Sequence, residues 1–180
     1  MVMALALALG SAGQASAQAL PSPDALRGAA TEQAALLQQY REIMRDPDAN
    51  VRLAAFTQLA VVEDPVVRQM AYDEAFGSTD RLLRAMALRY SFFDRAEFTL
   101  RFPSSSDQPV TVPLRGRDRA TGDFSYQVDG YRFNGRVQGL TVEMPRSGCA
   151  LLFRLDDEDM LMGEANCGGT IRPVMIDLRG

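Results

Sequence analysis

The chain has 180 residues, 19 of them basic and 23 acidic, for a net charge of −4. Its 47% apolar and 23% charged residues give it enough apolar surface to fold and exclude a solvated, disordered polymer. It has no His, and all of its basic residues are Arg; this removes the Ser-His-Asp triad, the Cys–His pair, imidazole metal sites, the Walker lysine and Schiff-base chemistry.

Residues 2–9 form a short apolar run, Val-Met-Ala-Leu-Ala-Leu-Ala-Leu, followed by small residues and by Ala15-Ser16-Ala17 and Ala17-Gln18-Ala19. A short apolar core ahead of a small-x-small site predicts a secretory signal peptide over residues 1–19, cleaved after Ala17 or Ala19. The run is far shorter than the roughly 20 residues that span a bilayer. The mature chain is expected to be periplasmic or extracellular, with no transmembrane helix.

Residues 20–93 read as an α-helical domain. Ala34, Leu37, Tyr40, Ile43 and Met44 fall near helical spacing. A period of 16 then appears: Arg52, Arg68 and Arg84 are evenly spaced, as are Ala55, Ala71 and Ala87, and as are Phe56, Tyr72 and Leu88. Asp46-Pro47 and Asp64-Pro65 place a capping acid ahead of a proline, whose missing N–H costs nothing in a first turn. Ser78 to Asp80 can cap the next helix, and Gly77 can end the one before it. Sixteen residues allow one helix of about three turns and a tight connection.

The segment Asp46-Pro47-Asp48-Ala49-Asn50-Val51-Arg52-Leu53-Ala54-Ala55, echoed by Asp64-Pro65-Val66-Val67-Arg68-Gln69-Met70-Ala71, resembles the HEAT-like repeat family over about residues 46–92. The motif recurs in every helix, whereas the family places it once per helix pair. The resemblance implies pairing between successive repeats of Arg52, Arg68 and Arg84 with Asp46 or Asp48, Asp64 and Asp80. It also implies contact with another protein and no chemistry of its own. An Ala-rich helical bundle accounts for the same pattern.

Beyond Asp94 the period changes from 3.6 to 2. Phe98, Leu100 and Phe102 alternate with polar residues, and so do Val110, Val112 and Leu114. Phe124, Tyr126 and Val128 lead through Asp129-Gly130, a hairpin signal, into Tyr131 and Phe133. Leu140, Val142 and Met144 follow. Residues 149–155, apolar on both faces, read as a central strand, and 160–167 and 171–178 complete the set. Residues 94–180 therefore read as an antiparallel β domain, a sandwich or a small barrel, and the fold class as α+β.

Cys149 and Cys167 fall on separate strands and are expected to form a disulfide in an exported chain. The alternatives are a two-thiolate metal site, short of soft ligands, and a redox pair, lacking C-x-x-C. Three further clusters are candidates. Arg115, Arg117 and Arg119 beside two glycines could grip an anion, though an exposed loop of mixed charge has the same composition. Asp156-Asp157-Glu158-Asp159 offers hard oxygens for Ca²⁺ but lacks EF-hand spacing, and reads equally as a solvated turn. Glu164 shares a face with Met160 and Met162, and with Glu143 could form a glycosidase-like carboxylate pair.

The charge is evenly spread: residues 24–93 carry 8 Arg and 10 acids, and residues 94–180 carry 11 Arg and 13 acids. No basic stripe for nucleic acid appears. No cofactor is expected. The sequence favours an exported, non-catalytic interaction protein with a protein or envelope component as partner. The alternatives are a hydrolase of envelope saccharide using Glu143 and Glu164, and a purely structural envelope protein.

Overall fold

The computed structural model describes residues 20–103 and 108–178, so the export segment expected over residues 1–19 lies outside the described residues. Four helices lead the chain: α1 (Pro23–Met44), α2 (Ala49–Leu59), α3 (Pro65–Phe76) and α4 (Arg81–Asp94). By its contacts the chain divides into Met1–Ala35 and Leu36–Gly180. In the first unit α1 begins at Pro23, and Ser22 Oγ accepts the N–H of Ala25 at 3.2 Å. The rest of this description concerns the second unit. Among the described residues no helix is long and apolar enough to cross a membrane.

Each of α2, α3 and α4 starts on an aspartate whose carboxylate takes N–H groups that the first turn leaves unbonded. Asp64 accepts from Val66 and Val67, and Asp80 from Leu82 and Leu83. For α2 the cap is Asp48, which accepts from Asn50 at 2.8 Å, and not the expected Asp46. Asp46 instead accepts the N–H of Asp48 at 2.8 Å. Pro47 thus lies in the turn ahead of the helix. The residues of the 16-residue period fill the helical interior: Phe56, Ala71, Tyr72, Ala87 and Leu88 are all buried. The ring of Phe56 lies 6.1 Å from that of Tyr72 and 5.5 Å from that of Tyr90.

Eight strands follow: β1 (Glu97–Arg101), β2 (Val110–Arg117), β3 (Asp123–Val128), β4 (Tyr131–Gln138), β5 (Thr141–Arg146), β6 (Cys149–Leu155), β7 (Met160–Cys167) and β8 (Thr170–Asp177). Each pairs antiparallel with the next, and β8 returns to β1, with Leu100 opposite Ile176 and Arg101 opposite Met175. The sheet is therefore a closed barrel, not a sandwich. Eight strands enclose a lumen that side chains can fill or that can hold one small ligand. Period-2 burial puts Val112, Leu114, Val142, Met144, Phe153, Leu161 and Ile176 inside. A closed barrel has no central strand; β6, apolar on both faces, turns Leu152 to solvent at 54% exposure.

Helix α4 stoppers one end of the lumen. Phe92 and Phe93, fully buried at its last turn, meet the barrel aromatics: Phe92 lies 5.3 Å from Phe98 and 5.0 Å from Phe124. The ring of Phe124 lies across β4, and only glycine at 135 permits this. A Cβ on Gly135 would come within 2.4 Å of Phe124 Cζ. From Phe124 the aromatic contacts continue to Tyr126 at 5.9 Å and Phe133 at 5.7 Å, toward the opposite end. Burying a Phe side chain contributes about 1.5–3 kcal/mol, so this column is a large share of what joins α4 to the barrel.

Candidate functional site

The expected site residues distribute over four places. The arginines of the 16-residue period act alike in two of three helices. Arg52 donates backward to the carbonyls of Asp46 and Pro47 at 2.8 and 3.1 Å, and forward to Asp80 Oδ2 at 2.8 Å. Arg68 donates to the carbonyls of Val62 and Glu63 at 2.6 and 2.9 Å, and its Nε lies 3.7 Å from Asp94. Each thus closes the loop before its own helix and reaches α4, one at the start and one at the end. Arg84 turns to the barrel instead: it donates to the carbonyl of Asp156 at 2.5 Å and to Asp157 Oδ1 at 3.0 Å. Its Nε is buried with no hydrogen-bond partner. Asp64 serves α3 as a cap, and Asp46 lends its carbonyl to Arg52.

The acidic turn, 156–159, is therefore the receptor for Arg84. Asp156 Oδ1 also accepts the N–H groups of Glu158 and Met160 at 2.9 and 2.8 Å and so shapes the turn. Among the described residues no cluster of His, Cys, Asp and Glu is disposed to hold a metal.

The arginine triplet is not a free cluster for an anion. Arg117 donates to the carbonyl of Phe93 at 2.8 Å, and Arg119 is bonded to Asp94 and lies over the ring of Tyr90 at 5.3 Å. Arg115 donates to Gln127 Oε1 at 3.0 Å. Two of the three are held at the C-terminal end of α4, where cations meet the unpaired carbonyls and negative pole of the helix.

Glu143 and Glu164 lie on the outer surface. Both face Leu152, one from β5 and the other from β7, and both are exposed. Neighbouring strands stand about 4.8 Å apart, which separates the two backbones by nearly 10 Å in open solvent. Glu164 does share a face with Met160 and Met162, but that face is the outer one. Met160, Met162 and Glu164 form the outer row of β7, and Leu161 and Ala165 the buried one. Gly163 sits between those two, where a Cβ would come within 2.1 Å of the carbonyl oxygen of Leu152.

Sequence reasoning missed a polar cleft of about 280 Å³ lined by Arg68, Tyr72, Asp94 and Arg95 among others. The hydroxyl of Tyr72 donates to Asp94, which also takes Arg119. Burial, and then the bond to Asp94, push the Tyr72 hydroxyl above its ordinary range. A phenol held in its neutral form is a poor base and a poor nucleophile, and Asp94 takes Tyr72 and Arg119, with Arg68 at 3.7 Å. The cleft joins α3, α4 and the loop at 119. Its one trace in the sequence is that Tyr72 is the only repeat aromatic with a hydroxyl.

A second, more apolar concavity is the end of the barrel opposite α4. Its floor is apolar: Leu100, Tyr126, Met144, Leu151 and Ala165. Around it stand Phe102, Val110, Val128, Arg146, Cys167 and Arg172, and the cavity measures about 120 Å³. The disulfide lies at this rim. Cys149 and Cys167 are directly opposed on β6 and β7, with sulfurs 2.09 Å apart and Cα atoms 4.1 Å apart. The Tyr126 hydroxyl donates to the carbonyl of Pro145 at 2.7 Å, and burial raises its pKa to about 12 while Arg146 opposes the rise. Small-molecule sites favour such barrel mouths.

No family model matches the chain, nor does any curated protein or any solved structure.

Proposed function

We propose that the chain is an exported, non-catalytic binding protein of a bacterial-type cell envelope, with a HEAT-like helical stack joined to a disulfide-linked barrel. The observation that carries this reading is the asymmetry of the barrel. Phe92 and Phe93 fill one end of the lumen, and the other opens on an apolar cup of about 120 Å³. Asp80, Arg84 and Arg117 are engaged in the scaffold, on a helix cap, on the turn at 156–159 and on the end of α4. The recurrent contacts of Arg52 and Arg68 support the repeat reading of the helices. The exposed position of Glu143 and Glu164 favours binding over hydrolysis.

Two measurements test this. Cell fractionation followed by mass spectrometry is expected to recover a chain beginning at Gln18 or Leu20, with Cys149 and Cys167 oxidised. A photo-crosslinking residue at Val128, on the mouth, is expected to capture an envelope component in cells, while one at Leu82 on α4 does not. A full-length, reduced chain in the cytoplasm, or capture from Leu82 alone, would overturn the proposal.

A further inference from the structure

We infer that the barrel mouth takes a small amphipathic anion: an apolar ring or short alkyl chain in the cup, its carboxylate held at the rim by Arg146. This rests on the reading of the mouth as the binding site. Arg146 continues the inward row of β5 after Val142 and Met144, both buried. Arg172 likewise precedes the buried Val174 in the inward row of β8. Both guanidinium groups therefore stand above the apolar floor and line the same cavity. Arg172 lies over the ring of Phe102 at 6.0 Å. Arg146 makes no hydrogen bond or ion pair with another described residue; its field acts on the Tyr126 hydroxyl at the floor.

The charge of this end opposes that of the whole. The chain carries −4, yet the charged residues lining the mouth among the described residues are Arg146 and Arg172, with no acid between them. Such a local positive charge draws an anion. Volume sets the apolar part. An apolar cavity of about 150 Å³ accepts benzene, so a cup of about 120 Å³ takes a single ring or a chain of a few carbons. A carboxylate at the end of such a group reaches the rim, where a charge-assisted bond to a guanidinium is about twice as strong as a neutral one.

The test titrates the oxidised chain with hexanoate, 1-hexanol and acetate, following the methyl NMR signals of Val110, Val128, Met144 and Leu151. Hexanoate is expected to shift these signals and to bind about tenfold more tightly than hexanol or acetate. Arg146→Gln is expected to remove the advantage over hexanol and to weaken hexanoate and acetate alike, leaving hexanol binding and thermal stability unchanged. Equal binding of hexanoate and hexanol would overturn the anion inference while sparing the mouth as a site. No shift with either would overturn both. Binding to phosphatidylglycerol vesicles without any hexanoate shift would make this end a lipid-docking face and likewise sink the inference.

Discussion

Arg84 donates to Asp157 across 73 residues of sequence, from α4 to the β6–β7 turn. The two partners are unequal: the Arg84 side chain is 15% exposed and that of Asp157 is 98% exposed. The buried partner carries the energy, because an exposed carboxylate is well solvated without it. Arg84→Ala is expected to cost about 2 kcal/mol in urea denaturation, and Asp157→Ala hardly anything. Arg84→Lys recovers less than half, since one ammonium cannot serve the Asp156 carbonyl and the Asp157 carboxylate as a planar fork does. Equal losses from Arg84→Ala and Asp157→Ala would show that the contact is only a surface pair.

Phe92→Ala is expected to cost about 3–5 kcal/mol, because it opens a cavity among the rings of Phe93, Phe98 and Phe124. Helical and β circular-dichroism signals are expected to fall in one transition, since that column joins the two. Two separate transitions would contradict this.

Cys149→Ser breaks a crosslink over a sequence separation of 18, at the end of the barrel remote from α4. The chain-entropy account puts the loss at about 3 kcal/mol. Thermal melts of oxidised, reduced and substituted chains measure it, and the reduced wild type is expected to match Cys149→Ser.

Asp80 links pH to stability. Its bond to Arg52, and the N–H groups of Leu83 and Leu82, hold its carboxyl below the ordinary value of 3.8. A depressed value in the folded state contributes stability that is fully present above the unfolded pKa and is lost as pH falls through the folded one. Asp80→Asn keeps a helix cap but not the charge. The gap in melting temperature between Asp80→Asn and wild type is expected to be widest near neutrality and to close below about pH 4.

Tyr72 and Tyr126 give the alkaline counterpart. Burial raises both, Tyr126 to about 12, above the ordinary 10.0. A raised value contributes stability present below the unfolded pKa and lost as pH climbs toward the folded one. Absorbance titration at alkaline pH is expected to show two late phenols, one missing in Tyr72→Phe and the other in Tyr126→Phe.

Much of the barrel was legible because alternation is local. The rows Val112–Leu114, Phe124–Tyr126 and Val142–Met144 announce both strand and inward face. Capping chemistry was legible for the same reason, to within the two residues separating Asp46 from Asp48. What failed was the choice of face on β7. Parity groups Met160, Met162 and Glu164 correctly, but the inner row includes Gly163, which the closeness of β6 demands, so the outer row looks the more apolar. Closure could not be read either, since the pairing of Leu100 with Ile176 spans nearly the whole β half. Nor could the placement of Arg117 and Arg119, whose partners Phe93 and Asp94 precede them by more than twenty residues and lie on a helix. Nothing in the sequence marks Arg146, because a rim position exists only once the barrel is closed.

The return of β8 onto β1 closes the sheet through two residue pairs, Leu100–Ile176 and Arg101–Met175. Where the strands are joined, neither an extended peptide nor a strand of another copy finds main chain left to bond. On the proposed reading of the mouth as a binding site, recognition falls to the side chains that line it, so a handful of substitutions there is expected to redirect it while the scaffold stays intact.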